Sequence, residues 1–193
     1  MLQARPTLEQ LKNRFSQLLS SAVSFAGPVY RSSTPKYANE ADLLTGDGSK
    51  RNGGRWNPIG IAVVYASLTP ETAMAETLAH NRYYGIAVEE AMPRTFVAIE
   101  AKLRTIVDFR LGSVRQRIQV SQDRILTVDW RKDVAAGREP ITHLIGRAAS
   151  DIGLEGIIVP SAADPNGHNL LIFPRNLQTG SEIGVLNPNG LPK

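Results

Sequence analysis

At 193 residues, with 42% hydrophobic and 21% charged residues, the chain suits one domain around one buried core and excludes wholesale disorder. The absence of cysteine removes disulfides, thiolate nucleophiles and Cys-ligated zinc together, and it suits a reducing cytoplasm. A formal charge of +4 favours phosphate-bearing partners, small or polymeric, yet the excess is scattered: Lys50, Arg51 and Arg55 form its longest cluster, too little to define a DNA-binding surface.

Met1 to Leu19 mixes Arg5, Glu9, Lys12 and Arg14 into its apolar positions, which does not read as a signal peptide. No apolar run approaches the roughly 20 residues needed to cross a bilayer, so the expected location is the cytoplasm, with no membrane partner. Thr7 and Gln10 have capping-box spacing, and Leu8, Leu11, Phe15, Leu18 and Leu19 follow at helical intervals. This predicts an amphipathic helix over 7–24, ended by Gly27-Pro28. Val29-Tyr30-Arg31 is strand-like. Residues 32–58, rich in glycine and proline, read as one long functional or mobile loop.

Ile61 to Ala66 is an apolar, β-branched run, the pattern of a buried strand. Thr69-Pro70 opens a helix that reaches about Tyr83 and stops at Gly85. Phe96, Val97, Ile99 and Leu103 predict a third strand, with Ile106-Val107-Asp108 continuing it or forming a neighbour. Ser113 to Ile152 reads as short helices interrupted near Val120, Val128 and Gly137-Pro140, the last ending at Gly153. Residues 156–159 and 170–173 are two more buried strands, and 182–186 an edge strand. The Pro/Asn/Gly tail from Asn187 reads as frayed. The expected fold class is α+β, a single compact domain with a small mixed, mainly antiparallel β core flanked by helices. Its organisation reads as an N-terminal helical extension over 1–27, a domain over 28–186 and a flexible tail over 187–193.

The dinucleotide fingerprint G-x-G-x-x-G is absent, the Walker pattern fails at Gly48-Ser49-Lys50, and no histidine pair has zinc-site spacing, so no metal is expected. Ser161, Asp164 and His168 share one loop, an unusual arrangement for a hydrolase triad. The most informative stretch is Gly53-Gly54-Arg55-Trp56-Asn57-Pro58. Its glycines let the main chain approach a ligand, Arg55 offers a planar fork for phosphate oxygens, and Trp56 either stacks on a flat ring or plugs the core. A purely structural turn fits the same residues.

Val29-Tyr30-Arg31, the 53–58 segment, Val64-Tyr65-Ala66-Ser67, Ala75-Glu76, and Val159-Pro160-Ser161 followed by Asn169 to Phe173 stand in an order that resembles the RES domain family. The resemblance runs from about Val29 to Pro174. It implies a fold like that of ADP-ribosyltransferases, and a bacterial toxin held inactive by an Xre-type antitoxin. It also implies an enzyme that attacks the nicotinamide–ribose bond of NAD, by hydrolysis, phosphorolysis or transfer of ADP-ribose to a protein. The Arg, Glu and Ser for which the family is named fall on Arg31, Glu76 and Ser161, the implied catalytic residues. Arg55, Trp56, Asn57, Tyr65 and Asn169 are the candidate substrate-binding residues. NAD would be a substrate rather than a permanent cofactor, with inorganic phosphate as its potential co-substrate.

Residue chemistry agrees in part. Breaking an N-glycosidic bond develops oxocarbenium character on the ribose, which a carboxylate such as Glu76 stabilises. A helical wheel sets Glu76 nearly opposite Met74 and Leu78, as for a solvated residue, although its neighbours Thr72, Ala73, Ala75 and Ala79 are small and leave room for a ligand. Arg31, at a strand end, fits a phosphate or a surface ion pair. Tyr65 fits stacking or core filling, and Ser161 fits ligand binding or turn capping. The N-terminal helix could also meet the antitoxin or a second copy of the chain. The reading from another class is a basic nucleic-acid-binding module, motivated by Lys50, Arg51, Arg55 and Trp56. In the toxin reading, nucleic acid is met only through the antitoxin.

Overall fold

The computed structural model, which describes residues 5–192, is organised by a sheet that closes on itself. Its strands are β1 (Val23–Ser33), β2 (Val64–Ser67), β3 (Thr95–Asp108), β4 (Gly156–Pro160), β5 (His168–Ile172) and β6 (Glu182–Val185). β1 pairs with both β2 and β3, so the hydrogen-bonded ring runs β1-β2-β5-β4-β3 and returns to β1, with β6 added along β3. Only β3 and β4 run parallel. The α+β, mainly antiparallel core anticipated from the pattern is therefore present, curled into a small barrel.

Period-two alternation sorts the apolar side chains into two cores. Val29, Val64, Ala66, Val97, Ile99, Ala101, Leu103, Ile158, Leu170 and Ile172 gather in one cluster enclosed by the ring. Their neighbours Ile157, Val159 and Leu171 face the other way, onto helices. These are α1 (Leu8–Ser16), α5 (Gly112–Ile118), α6 (Gln122–Thr127) and α8 (Ile141–Asp151), which contribute Leu11, Phe15, Ile118, Ile125, Ile145 and Ala148. The short helices foreseen between 113 and 152 are α5, α6, α7 (Trp130–Ala135) and α8.

Several boundaries differ from the sequence expectation. The capping box at Thr7 and Gln10 forms, but α1 stops at Ser16; a 3-10 turn follows at Leu19–Ser21 and β1 begins at Val23. The long β3 offers ladder partners from Val23↔Ile106 to Ser33↔Thr95, so pairing claims residues whose local pattern suits a helix. Residues 23–27 thus belong to the sheet rather than to a helical extension, and residues 1–4 of that extension lie outside the described residues. The presumed loop 32–58 contains α2 (Glu40–Leu44), capped by Asn39, and α3 (Asp47–Asn52). Gly46 joins them at φ 70°, where a Cβ would stand 2.8 Å from the Val63 nitrogen. The strand expected over 61–66 is shifted to β2, and the two segments at 96–108 are one continuous β3. The tail expected to fray carries a 3-10 turn at Pro188–Gly190, and Leu191 packs on the barrel cluster. Among the described residues, no helix is long and apolar enough to cross a membrane.

Glu155, fully buried just before β4, holds the closure of the sheet. Its carboxylate accepts the amides of Arg104, Thr105 (2.9 Å) and Gln178 (2.7 Å). Burial works against the charge, but the hydrogen bonds prevail and hold the carboxyl below its ordinary value. A depressed folded-state pKa contributes stability above the unfolded value, and that stability is lost as pH falls through the folded one. Glu155→Ala is expected to cost about 3 kcal/mol at neutral pH, because it strands buried donors. Urea unfolding should show the difference between wild type and variant shrinking as the pH drops below about 4.

Candidate active site

The site assembles at one end of the ring, between α4 (Pro70–Tyr83) and the loop that joins β4 to β5. Thr69 caps α4, its hydroxyl accepting the Thr72 amide at 3.2 Å, and Pro70 sits in the first turn. The helix does not seat itself through Met74 and Leu78, which are only half-buried. It turns Thr72, Ala73, Thr77 and Asn81 inward instead. A small-residue face lets α4 lie close to the sheet and brings half-buried Glu76 over the end of the barrel. The apolar wheel, which assigns Glu76 to solvent, fails for this reason.

Glu76 Oε1 accepts two short hydrogen bonds, from Ser161 Oγ at 2.7 Å and from Asn169 Nδ2 at 2.6 Å. Oε2 receives none among the described residues. Ser161 lies at the end of β4 and is buried; its Oγ accepts the amides of Ala163 (3.1 Å) and Asp164 (3.0 Å), so its own proton is aimed at Glu76. Asn169, the second residue of β5, stands opposite Ser67 in the β2–β5 register, and Ser67 Oγ donates to Asn169 Oδ1 at 2.7 Å, which directs the Asn169 NH2 group to the carboxylate. Thr72 in turn donates to Asp164 Oδ2 at 2.7 Å, tying the serine loop to the first turn of α4. Gly167 closes that loop where a Cβ would stand 2.3 Å from Asp164 Oδ2 and 2.4 Å from Thr72 Oγ1. Ser67, Thr72 and Gly167 are not candidates from the sequence, and Asp164 enters there only as a triad member. The Asp-Pro-Asn-Gly turn composition at 164–167 is the one local signal pointing to this clamp. The Ser161–Asp164–His168 triad does not form, since the serine faces Glu76 and the Asp164 carboxylate faces Thr72 and the Asn166 amide.

The remaining candidates are placed differently. Arg31 is half-buried, and its guanidinium donates to the Leu43 carbonyl of α2 rather than to Glu76. Burial pulls its pKa down to about 10, which leaves it charged at neutral pH. Arg55 spends its fork on the carbonyls of Ile125 (2.7 Å), Leu126 (2.9 Å) and Val128 (3.2 Å), pinning the glycine-rich segment to the α6–α7 junction. Burial lowers its pKa, and the neighbouring charge of Glu76 works in the opposite direction.

Trp56, 2% exposed, fills the helical core beside Phe109, and Asn57, fully buried, donates to the carbonyls of Ser49, Pro58 and Ile61. The substrate-binding roles expected for Trp56 and Asn57 are corrected accordingly: both are sealed inside the support of the site. Tyr65 joins the two sets. Its hydroxyl donates to Asn57 Oδ1 at 2.7 Å and accepts the Trp56 amide at 2.9 Å, and burial pushes its pKa up. His143 of α8 donates from Nε2 to the Gly54 carbonyl at 2.7 Å, and burial holds its pKa below the ordinary value. Arg55→Ala is expected to lower stability by about 2 kcal/mol through three deserted carbonyls, and Arg55→Lys to recover only part of it. Thermal denaturation checks both.

Fold and site together define a class: an α+β domain in which a helix-borne carboxylate is clamped, by a loop serine and a strand asparagine, at the end of a closed, mainly antiparallel sheet. Within that class the chain belongs to the RES domain family, whose sequence model matches residues 28–188. It is 34% identical over 145 residues to the Prs ADP-ribosylating toxin of Sphingobium sp. (strain YBL2), covering 75% of this chain and 81% of that one. It is 29% identical over 159 residues to Toxin Res of Yersinia enterocolitica, covering 77% and 86%. It is 24% identical over 124 residues to the NAD(+) phosphorylase MbcT of Mycobacterium tuberculosis, covering 63% and 62%. The fold is shared with the solved M. tuberculosis MbcT–MbcA toxin–antitoxin complex, at a TM-score of 0.68 and 20% identity over 94% of both chains.

Proposed function

We propose that this chain is a RES-family toxin that cleaves the nicotinamide–ribose bond of NAD. The observation that carries this reading is the clamped Glu76 carboxylate, with one oxygen fixed by Ser161 and Asn169 and the other left for a ligand. In the step proposed, the C1′–N bond breaks, its electron pair leaves with neutral nicotinamide, and the positive charge passes from the pyridinium ring to the ribose. A fixed anion beside that carbon needs no reorganisation as the charge arrives, which is the condition for strong electrostatic stabilisation. Ser161 and Asn169 position the carboxylate, Tyr65 and Arg55 brace the glycine-rich segment behind it, and Arg31 keeps a positive charge on β1, the strand paired with Ser67.

The acceptor is water or inorganic phosphate in this reading, with NAD depletion as the toxic event. The similarity to an ADP-ribosylating toxin favours a second reading, in which a protein side chain takes the ADP-ribose. The nucleic-acid module loses two of the four residues that motivate it, because Arg55 is occupied by backbone carbonyls and Trp56 is buried. An antitoxin of the Xre type is the proposed regulator, covering the site.

The deciding experiment incubates purified protein with NAD, with and without phosphate, and follows nicotinamide by chromatography. Release in both buffers means hydrolysis, and release only with phosphate means phosphorolysis. Release that requires an added protein extract means transfer, and no release under any condition rejects the reading. Expression in a bacterial host should arrest growth and lower cellular NAD; unchanged growth and NAD would remove the toxin assignment.

A further inference from the structure

One face of α4 continues past Glu76 into an aromatic and cationic cluster to which the clamp assigns no role. His80 follows Glu76 by one turn and Tyr83 by two, which places Tyr83 about 10 Å further along the helix at its usual rise per residue. Arg131, the second residue of α7, lies over this end of α4. Its guanidinium carbon is 4.2 Å from the centre of the Tyr83 ring, 4.5 Å from that of Trp130 and 5.3 Å from that of Tyr84. Its Nε donates to the Tyr84 hydroxyl and one terminal nitrogen to His80 Nδ1, each at 3.3 Å. An arginine can only donate, so His80 accepts at Nδ1 and carries its proton on Nε2.

This cluster is joined to the glycine-rich segment of residues 53–58. Arg55 holds the Val128 carbonyl two residues before Trp130, and Trp130 packs on His143, 5.8 Å between ring centres, which itself holds the Gly54 carbonyl. Tyr83 and Tyr84 remain about half exposed, at 52% and 56%, so their rings are open to a ligand. Among the described residues no carboxylate lies within ion-pair distance of Arg131. The cations that do have such partners are Lys12, Arg110, Arg138 and Arg147. A guanidinium is thus held rigid by three rings and a histidine, without a counter-ion, beside exposed aromatic surface. That combination suits a phosphate oxygen next to a flat base.

Resting on the NAD-cleaving reading above, we propose that Arg131, with Tyr83, Tyr84 and His80, forms the subsite for the nucleoside diphosphate half of the dinucleotide. Arg131 binds the diphosphate and a tyrosine ring stacks on the base, while the nicotinamide ribose lies at Glu76. The subsite sets affinity and selects dinucleotides over mononucleotides.

The test measures KM for NAD and for nicotinamide mononucleotide with wild type, Arg131→Ala and Arg131→Lys. The Kd of ADP is measured by calorimetry in the same three forms carrying Glu76→Gln. Arg131→Ala is expected to raise the KM for NAD and the Kd for ADP at least about tenfold, with a much smaller change for the mononucleotide, and Arg131→Lys to recover part of the loss. An unchanged KM and Kd in Arg131→Ala, with NAD still cleaved by wild type, overturns the subsite and leaves the cleavage reading standing. Equal losses for NAD and mononucleotide also overturn it, since they indicate general damage to the site. ADP binding that depends on Arg131 in a protein that cleaves no NAD supports the subsite and rejects the reaction. Folded protein that neither binds ADP nor cleaves NAD rejects both.

Discussion

Glu76→Gln is expected to lower nicotinamide release from NAD by about a thousandfold while leaving the melting temperature close to that of wild type. The side chain keeps its shape, and its remaining oxygen can still accept from Ser161 Oγ and Asn169 Nδ2, so the clamp and the loop behind it survive. What disappears is the negative charge. A factor of a thousand corresponds to about 4 kcal/mol of transition-state stabilisation, the scale of a preorganised charge facing a developing cation. The measurement is initial-rate chromatography of nicotinamide, paired with a melting curve for each protein. A Glu76→Gln protein that cleaves NAD at the wild-type rate would move the chemistry to another group. The clamp predicts a companion result. Asn169→Ala leaves Oε1 with one donor instead of two and should reduce the rate without abolishing it.

Gly146→Ala is expected to be the most damaging single methyl group in the chain. Gly146 lies within α8, where helix propensity alone would favour alanine by about 1 kcal/mol. A Cβ there would stand 1.8 Å from the Trp56 carbonyl oxygen and 3.0 Å from its carbon. Both atoms are backbone, so no side-chain rotation relieves the overlap. Either α8 or the 53–58 segment must move away. That movement would disturb the His143–Gly54 bond, the Arg55 fork and the Tyr65 hydroxyl at once. Overpacking of this kind costs about 3 kcal/mol, which for a domain of this size lowers the melting temperature by about 10 °C. Activity should fall with it, because the segment holds the Tyr65 hydroxyl, and Tyr65 lies in β2 two residues before Ser67, which orients Asn169 toward Glu76. A variant as stable as wild type would show that α8 and the glycine-rich segment are not in the tight contact described above.

Much of the architecture was legible locally. Apolar runs at 156–159 and 170–173 are strands β4 and β5, Thr69-Pro70 starts α4, and short helices fill 113–152, because strand alternation, caps and breakers act over a few residues. The long β1 was not legible, since its ladder with β3 joins residues some seventy positions apart, and the helices α2 and α3 were hidden by the glycine content of their segment. Within the clamp, Glu76, Ser161 and Asn169 are the residues to which the family resemblance points, whereas Arg31 lies apart on the Leu43 carbonyl. The roles of Trp56, Asn57 and Arg55 were not legible, because a Gly-Gly-Arg-Trp-Asn-Pro string reads alike whether its side chains face a ligand or the protein.

By itself, then, the amino-acid sequence determined the α+β class, the family and which carboxylate to suspect. The class rests on residue type and local spacing, whereas the family and the carboxylate rest on the resemblance of five ordered segments to the RES domain. The tertiary structure alone decided how that carboxylate is held. Ser161 and Asn169 reach Glu76 from 85 and 93 positions away, and Thr72 grips Asp164 from 92. It also decided that Arg55, Trp56 and Asn57 support the site from behind, and that Arg131 stacks over the far end of the Glu76 helix. The physical reason is common to all of them. Hydrogen-bond direction and burial are set when the ring of strands closes and brings distant segments together, and no local pattern encodes which groups will then face one another.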